Sequence, residues 1–317
     1  MGVSYEQYFR RGDAADVWSG GVHVLAITTP CGEFSVWTKR TGRNPAVALL
    51  LLHGGPGATH EYFTAADSFL PAAGVEYHYY DQLGSGHSSV PDEPALWTIE
   101  RFVDEVEQVR RGLGLGPENF FLLGHSWGGV LAIEYALRYP QNLKGLIISN
   151  MMSSIAAYNE YAANVLMPPM DQEKLGQIRD FETRGLTDDP RYEELLMEQH
   201  YVHHVLRRPV EQWPEPVVRS FARINKKIYV PLQGPSELGA SGLLLDWDRT
   251  GDLHRITVPT LVIGAEYDTM DPAYLRLMAD EVAAGEYWHC PRGSHMAMYD
   301  DQETYFEGLI SFLHRHA

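Results

Sequence analysis

An α/β fold, with a largely parallel sheet covered by helices on both faces, is what this 317-residue chain predicts. Three observations carry it. Short apolar runs recur along the chain, helical periodicities fall between them, and a Gly-x-Ser-x-Gly pattern stands directly after one of the runs. No internal repeat or low-complexity segment interrupts the series.

The first two runs, "VHVLAI" and "EFSVWTK", alternate around "TTPCG" and read as an opening hairpin. Then come "VALLLL" (47–52), "EYHYYD" (76–81), "FFLLG" (120–124), "GLIIS" (145–149), "TLVIG" (260–264) and "EYWHC" (286–290). Near-continuous apolarity over so few residues suits strands buried on both faces, as parallel strands are. Between them, Phe102, Val106, Val109 and Leu113 recur at helical spacing, with Thr98 placed as N-cap. After the serine of the Gly-x-Ser-x-Gly pattern, "VLAIEYALRY" continues as a helix until Pro140. The stretch 152–246 breaks the rhythm, being rich in Met, Tyr and charge with helical patches such as "RYEELLMEQHYVHHVL". It reads as a mainly helical cap inserted between two core portions, 1–151 and 247–317, over the sheet edge where α/β proteins bind ligands.

Composition narrows the function. Twenty-five Lys and Arg against 42 Asp and Glu give a formal charge of −17, which repels nucleic acid and anionic membrane but not a cationic small substrate. No run approaches the roughly 18 apolar residues of a membrane span. Residues 1–18 lack the apolar region of a signal peptide, so a cytoplasmic protein is expected. Cys31 and Cys290 cannot form a disulfide framework and read as inert thiols at strand ends. His200, His203 and His204 share a helical patch but have no acidic or cysteine partner in view, so neither metal nor cofactor is expected.

The chemistry is carried by "GHSWG". A tight strand-to-helix turn with small flanking residues exposes the hydroxyl of Ser126, the arrangement of a nucleophile elbow. A serine needs a base, and the base needs a third group to hold it. In chain order the acid follows the serine and the histidine follows the acid. Asp268 ends the run in "TLVIGAEYD" and is preferred over its neighbours Glu266 and Asp271, and His295 lies in the loop after "EYWHC". "LLLLHGGPG" supplies an oxyanion hole, a glycine pair after a buried strand. One amide donor is assigned to Gly55 and the other to Trp127, the residue after the serine. His53 is read as ordering this loop rather than transferring protons.

Taken together, "HGGPG" (53–57), "YDQLGSGHS" (80–88), "GHSWGG" (124–129), "GAEYD" (264–268) and "GSHM" (293–296) resemble the prolyl iminopeptidase family of α/β hydrolases, over nearly the whole chain. The resemblance implies an α/β-hydrolase fold with a mostly parallel eight-stranded sheet. It also implies cleavage of an N-terminal residue, often proline, from a small peptide or amide with a free amine. A buried ammonium calls for carboxylates. Glu237, in "IYVPLQGPSEL", matches the family's cap glutamate, and Tyr229 matches a family tyrosine near the site. The family's second glutamate is replaced by Thr269, a departure that leaves Asp271 or Glu266 as substitutes. A carboxylesterase or amidase with the same triad and no free-amine requirement is the alternative, and a silent scaffold acting as a binding module is the third reading. Epoxide hydrolases and haloalkane dehalogenases are disfavoured because they carry aspartate where this chain has Ser126.

Overall fold

The computed structural model describes residues 20–317, so the stretch 1–18 read above for a leader lies outside the described residues. Eight strands form one sheet: β1 (Val22–Thr29), β2 (Gly32–Thr41), β3 (Ala48–Leu52), β4 (Glu76–Asp81), β5 (Phe120–His125), β6 (Gly145–Ser149), β7 (Thr260–Ala265) and β8 (Gly285–Cys290). Their order is β1-β2-β4-β3-β5-β6-β7-β8. The hairpin strand β2 runs antiparallel to both of its neighbours, and every other pairing is parallel.

The apolar runs explain the layering. Because successive side chains point to opposite faces, Leu50, Leu52, Phe120, Leu122, Leu146, Ile148 and Val262 join one core. Their alternates Leu49, Leu51, Phe121, Leu123, Ile147, Leu261 and Ile263 join a second core on the other face. The first core is closed by α1 (Ile99–Gly112) and α2 (Trp127–Arg138). β8 differs from the expectation of full burial. It is only half-buried, because it forms the sheet's edge and has a neighbour on one side alone.

Thr98 caps α1 as its sequence suggests, its hydroxyl accepting from the Arg101 N–H at 3.3 Å. Glu100 in the first turn and Arg110 and Arg111 in the last complement the helix dipole.

Between β6 and β7 the described chain is helical, with α3 (Ile155–Tyr161), α4 (Gln172–Thr183), α5 (Pro190–Leu196), a π-helical continuation Met197–Val205, α6 (Glu215–Ala222) and α7 (Lys226–Leu232). Its two ends clasp one another. Ile155 N–H donates to the Trp247 carbonyl at 3.0 Å and Arg249 N–H to the Ser153 carbonyl at 2.7 Å. A small core of its own forms from Leu175, Ile178, Tyr192, Leu195, Leu196 and Leu238. After β7, α8 (Pro272–Glu281) returns to the first core, and α9 (Ala297–Asp300) and α10 (Gln302–Arg315) close the second. Among the described residues no helix is long and apolar enough to cross a membrane.

Thr98→Ala should lower stability by about 1 kcal/mol. Urea unfolding should show this as a lower midpoint with an unchanged slope.

Candidate active site

Ser126 occupies the corner between β5 and α2 with φ 56° and ψ −128°, in the left-handed half of backbone space. A non-glycine residue there is strained by on the order of 1–3 kcal/mol. Hydrogen bonds hold the corner on both sides: Ser126 N–H donates to the Ser149 carbonyl at 3.1 Å and Gly129 N–H to the Ser126 carbonyl at 2.7 Å. Only a residue without Cβ fits two places after the serine, since a Cβ on Gly128 would lie 2.1 Å from the Leu52 carbonyl oxygen. The turn after β3 also approaches closely, and a Cβ on Gly54 would stand 2.8 Å from that of Ser126.

Asp268 and His295, on loops that follow β7 and β8, are buried and in contact. His295 Nδ1–H donates to Asp268 Oδ1 at 2.8 Å. The second carboxylate oxygen accepts from Asn150 Nδ2 at 2.7 Å, a partner the sequence reading missed. Asn150 itself sits at φ 53°, one residue beyond β6, where asparagine tolerates the left-handed region best after glycine. Burial alone would lower the His295 pKa, but the charge and hydrogen bond of Asp268 outweigh it and raise it above the ordinary histidine value. Thr269, where a second glutamate was looked for, turns its hydroxyl to the same pair, 3.1 Å from His295 Nδ1 and 3.3 Å from Asp268 Oδ1.

Two sequence motifs brace one another beside the serine. His53 Nδ1–H donates to the Gly54 carbonyl at 2.9 Å while its Nε2 accepts from Gln82 N–H at 3.1 Å. Burial lowers the His53 pKa to about 4, which keeps that single-proton form. Gln82 in turn donates to the His53 carbonyl at 2.8 Å and accepts from Trp127 Nε1 at 2.9 Å. The "DQLG" segment thus anchors the "HGGPG" turn to the first residue of α2. As that first residue, Trp127 has a backbone N–H with no intrahelical acceptor.

Ser126, His295, Gly54 and Gly55 line a cavity of about 460 Å³, whose other walls are mostly apolar and include Trp213, Phe221 and Tyr201. Glu237 also lines it, accepting from the Tyr229 hydroxyl at 2.6 Å. Burial raises the Glu237 pKa, against the pull of His295 and the Tyr229 hydrogen bond. Its backbone is pinned from two sides, the carbonyl accepting from the Tyr158 hydroxyl at 2.6 Å and from His200 Nε2–H at 3.1 Å. His200 is therefore a backbone anchor, and among the described residues no three His, Cys, Asp or Glu gather as a metal site.

Glu266 and Asp271 do not reach the cavity. Glu266 is exposed and pairs with His289 at 3.3 Å, while Asp271 caps α8 by accepting from Ala273 N–H at 2.9 Å. Glu193, an exposed residue of α5, is a further carboxylate on the cavity wall, and no local sequence pattern marks it.

A strained serine after a parallel strand, with an imidazole–carboxylate pair at the same sheet edge, has the chemistry of acyl transfer, and residues 47–302 match the family described as alpha/beta hydrolase fold. Within that class the chain is 50% identical over 290 residues to a proline iminopeptidase of Flavobacterium johnsoniae, covering 92% of this chain and 97% of the relative. The crystal structure of proline iminopeptidase from Mycobacterium smegmatis matches with a TM-score of 0.79 at 31% identity, covering 92% of this chain and 98% of that one. The crystal structure of VinJ matches with a TM-score of 0.85 at 29% identity, covering 93% and 99%. The chain belongs to the proline iminopeptidase family of α/β hydrolases.

Asp268→Asn removes the charge that raises His295 while leaving its burial in place. The histidine should then titrate at lower pH than in the wild type, read by imidazole NMR.

Proposed function

We propose that this protein is a serine aminopeptidase that releases an N-terminal residue, proline foremost, from peptides or amides through an acyl-enzyme on Ser126. The observation that carries the reading is Glu237, a half-buried carboxylate on the wall of the cavity that also holds Ser126 and His295. An isolated carboxylate in an apolar cavity is costly, and a substrate ammonium is the partner that offsets the cost. Tyr229 orients the carboxylate from one side and leaves the other oxygen for the amine.

With the amine held there, the carbonyl of the substrate's first residue lies toward Ser126. His295 Nε2 takes the hydroxyl proton as Oγ attacks the carbonyl carbon, and Asp268 stabilises the imidazolium that results. The backbone N–H groups of Gly55 and Trp127 receive the developing oxyanion. The C–N bond then breaks, the leaving amine takes the proton from His295, and a water activated by the same imidazole hydrolyses the ester. Residues 152–246 act as the cap that closes this space over the sheet edge. The mutual clasp of Ser153–Ile155 with Trp247–Arg249 supports that division. Thr269 serves the His295–Asp268 pair, so amine recognition rests on Glu237, with Glu193 as the other carboxylate on the cavity wall. The amine-blind esterase reading is not favoured, because relatives 46–50% identical are proline iminopeptidases.

Free prolyl 4-nitroanilide should exceed its N-acetyl counterpart in kcat/KM by ~10²-fold or more, about 2.7 kcal/mol, with all turnover lost in Ser126→Ala. Equal rates on the two anilides would contradict the proposal. Glu237→Gln should erase the free-amine preference while leaving hydrolysis of a simple aryl ester largely intact. A retained preference would remove Glu237 from amine recognition.

The acid limb follows from the raised His295 pKa. The imidazole must be unprotonated to accept the serine proton, so kcat/KM should fall with decreasing pH through a value above the ordinary histidine pKa of about 6.5. A limb below that value would contradict the assignment of His295 as base.

A further inference from the structure

A chain of buried hydrogen bonds runs behind the reacting groups, between the two loops that meet at Ser126. Gly54 N–H donates to the Tyr62 hydroxyl at 2.6 Å, that hydroxyl lies 3.0 Å from His125 Nδ1, and His125 Nε2 lies 2.8 Å from the His295 carbonyl oxygen. Proton counting fixes every direction. A carbonyl only accepts, so Nε2 carries the imidazole proton and Nδ1 is the acceptor. The Tyr62 oxygen already receives the Gly54 N–H, and its one proton goes to Nδ1. Both side chains are buried, and the His125 ring lies 4.9 Å from that of His295. Burial also holds the His125 pKa down to about 3, so the single-proton form persists through the neutral range.

We propose that Tyr62 and His125 are positioning residues whose hydrogen-bonded bridge sets the spacing between the Gly54–Gly55 turn and the His295 loop around Ser126. The inference rests on the acyl-transfer reading given above. The sheet by itself leaves this spacing loosely determined. The glycine turn follows β3 and His295 follows β8, and in the sheet order β5, β6 and β7 stand between them. His125, the last residue of β5, spans from its own strand to the His295 backbone without passing through β6 or β7. Tyr62 closes the remaining gap to the turn after β3. Neither side chain is needed to move a proton, since the bridge ends on a backbone N–H at one side and a backbone carbonyl at the other. What it supplies is register between the oxyanion donor and the base.

The test uses the full chain and two readouts, turnover of prolyl 4-nitroanilide and the rate at which an alkyl fluorophosphonate labels Ser126. Tyr62→Phe removes the central hydroxyl and should lower kcat by ~10–100-fold, as a displacement of about 1 Å does, with KM nearly unchanged. Labelling should slow in parallel. His125→Gln keeps an N–H donor that reaches toward the His295 carbonyl and should retain more of both rates than His125→Leu. A folded Tyr62→Phe enzyme with wild-type kcat and labelling would overturn the bridge, as would a loss confined to KM. If Tyr62→Phe fails to fold, equal rates for His125→Gln and His125→Leu overturn it in the same way. Failure of the acyl-transfer reading looks different, because the wild type itself would then show no Ser126-dependent labelling or turnover.

Discussion

Keeping Ser126 in the left-handed region is the constraint on which the rest of the site depends. The strain of on the order of 1–3 kcal/mol persists only because the surroundings over-determine the corner. β5 delivers the chain between β3 and β6, α2 departs at once, and the absent Cβ of Gly128 lets that helix press on the Leu52 carbonyl. A larger residue there would push α2 away and relax the serine. The same tight approach brings the turn after β3 against the serine, so the candidate nucleophile and the candidate oxyanion donors are placed by one packing event.

Electrostatics then divide the site into two parts with different purposes. Asp268 is satisfied on both oxygens, by His295 and Asn150, and holds the imidazole from behind. Among the described residues Glu237 has one side-chain hydrogen-bond partner, the Tyr229 hydroxyl, and burial raises its pKa. A carboxylate left with free capacity at a cavity wall is suited to a ligand, whereas a fully bonded one is suited to holding its neighbour. The chain's formal charge of −17 favours the approach of a cationic substrate to such a site.

Much of this was legible in the sequence, and the reasons are physical. Parallel strands buried on both faces leave contiguous apolar runs, so β4 and β6 coincide with "EYHYYD" and "GLIIS". The elbow was legible because its small residues are a local requirement. Asn150, Tyr62 and His125 were not, because their contacts join residues 118 and 63 positions apart and no local pattern marks them. Glu266 and Asp271 were drawn in by nearness to Asp268 along the chain. "DP" at 271–272 did carry its own signal, an N-cap followed by proline at the first helical position, and that is the role Asp271 has. Thr269 shows how one substitution changes meaning in three dimensions: what looked like a missing amine anchor is a hydroxyl beside the imidazole.

In the proposed reading, one cavity joins a nucleophilic serine to an ammonium site. The most direct test is the rate at which a pair of proline-derived aryl phosphonates, one with a free ring nitrogen and one N-acetylated, inactivates the enzyme, with the modified residue located by peptide mapping. A single adduct on Ser126 is expected, with inactivation faster by ~10²-fold for the free amine. Equal rates for the two reagents, or an adduct on any other residue, would contradict it.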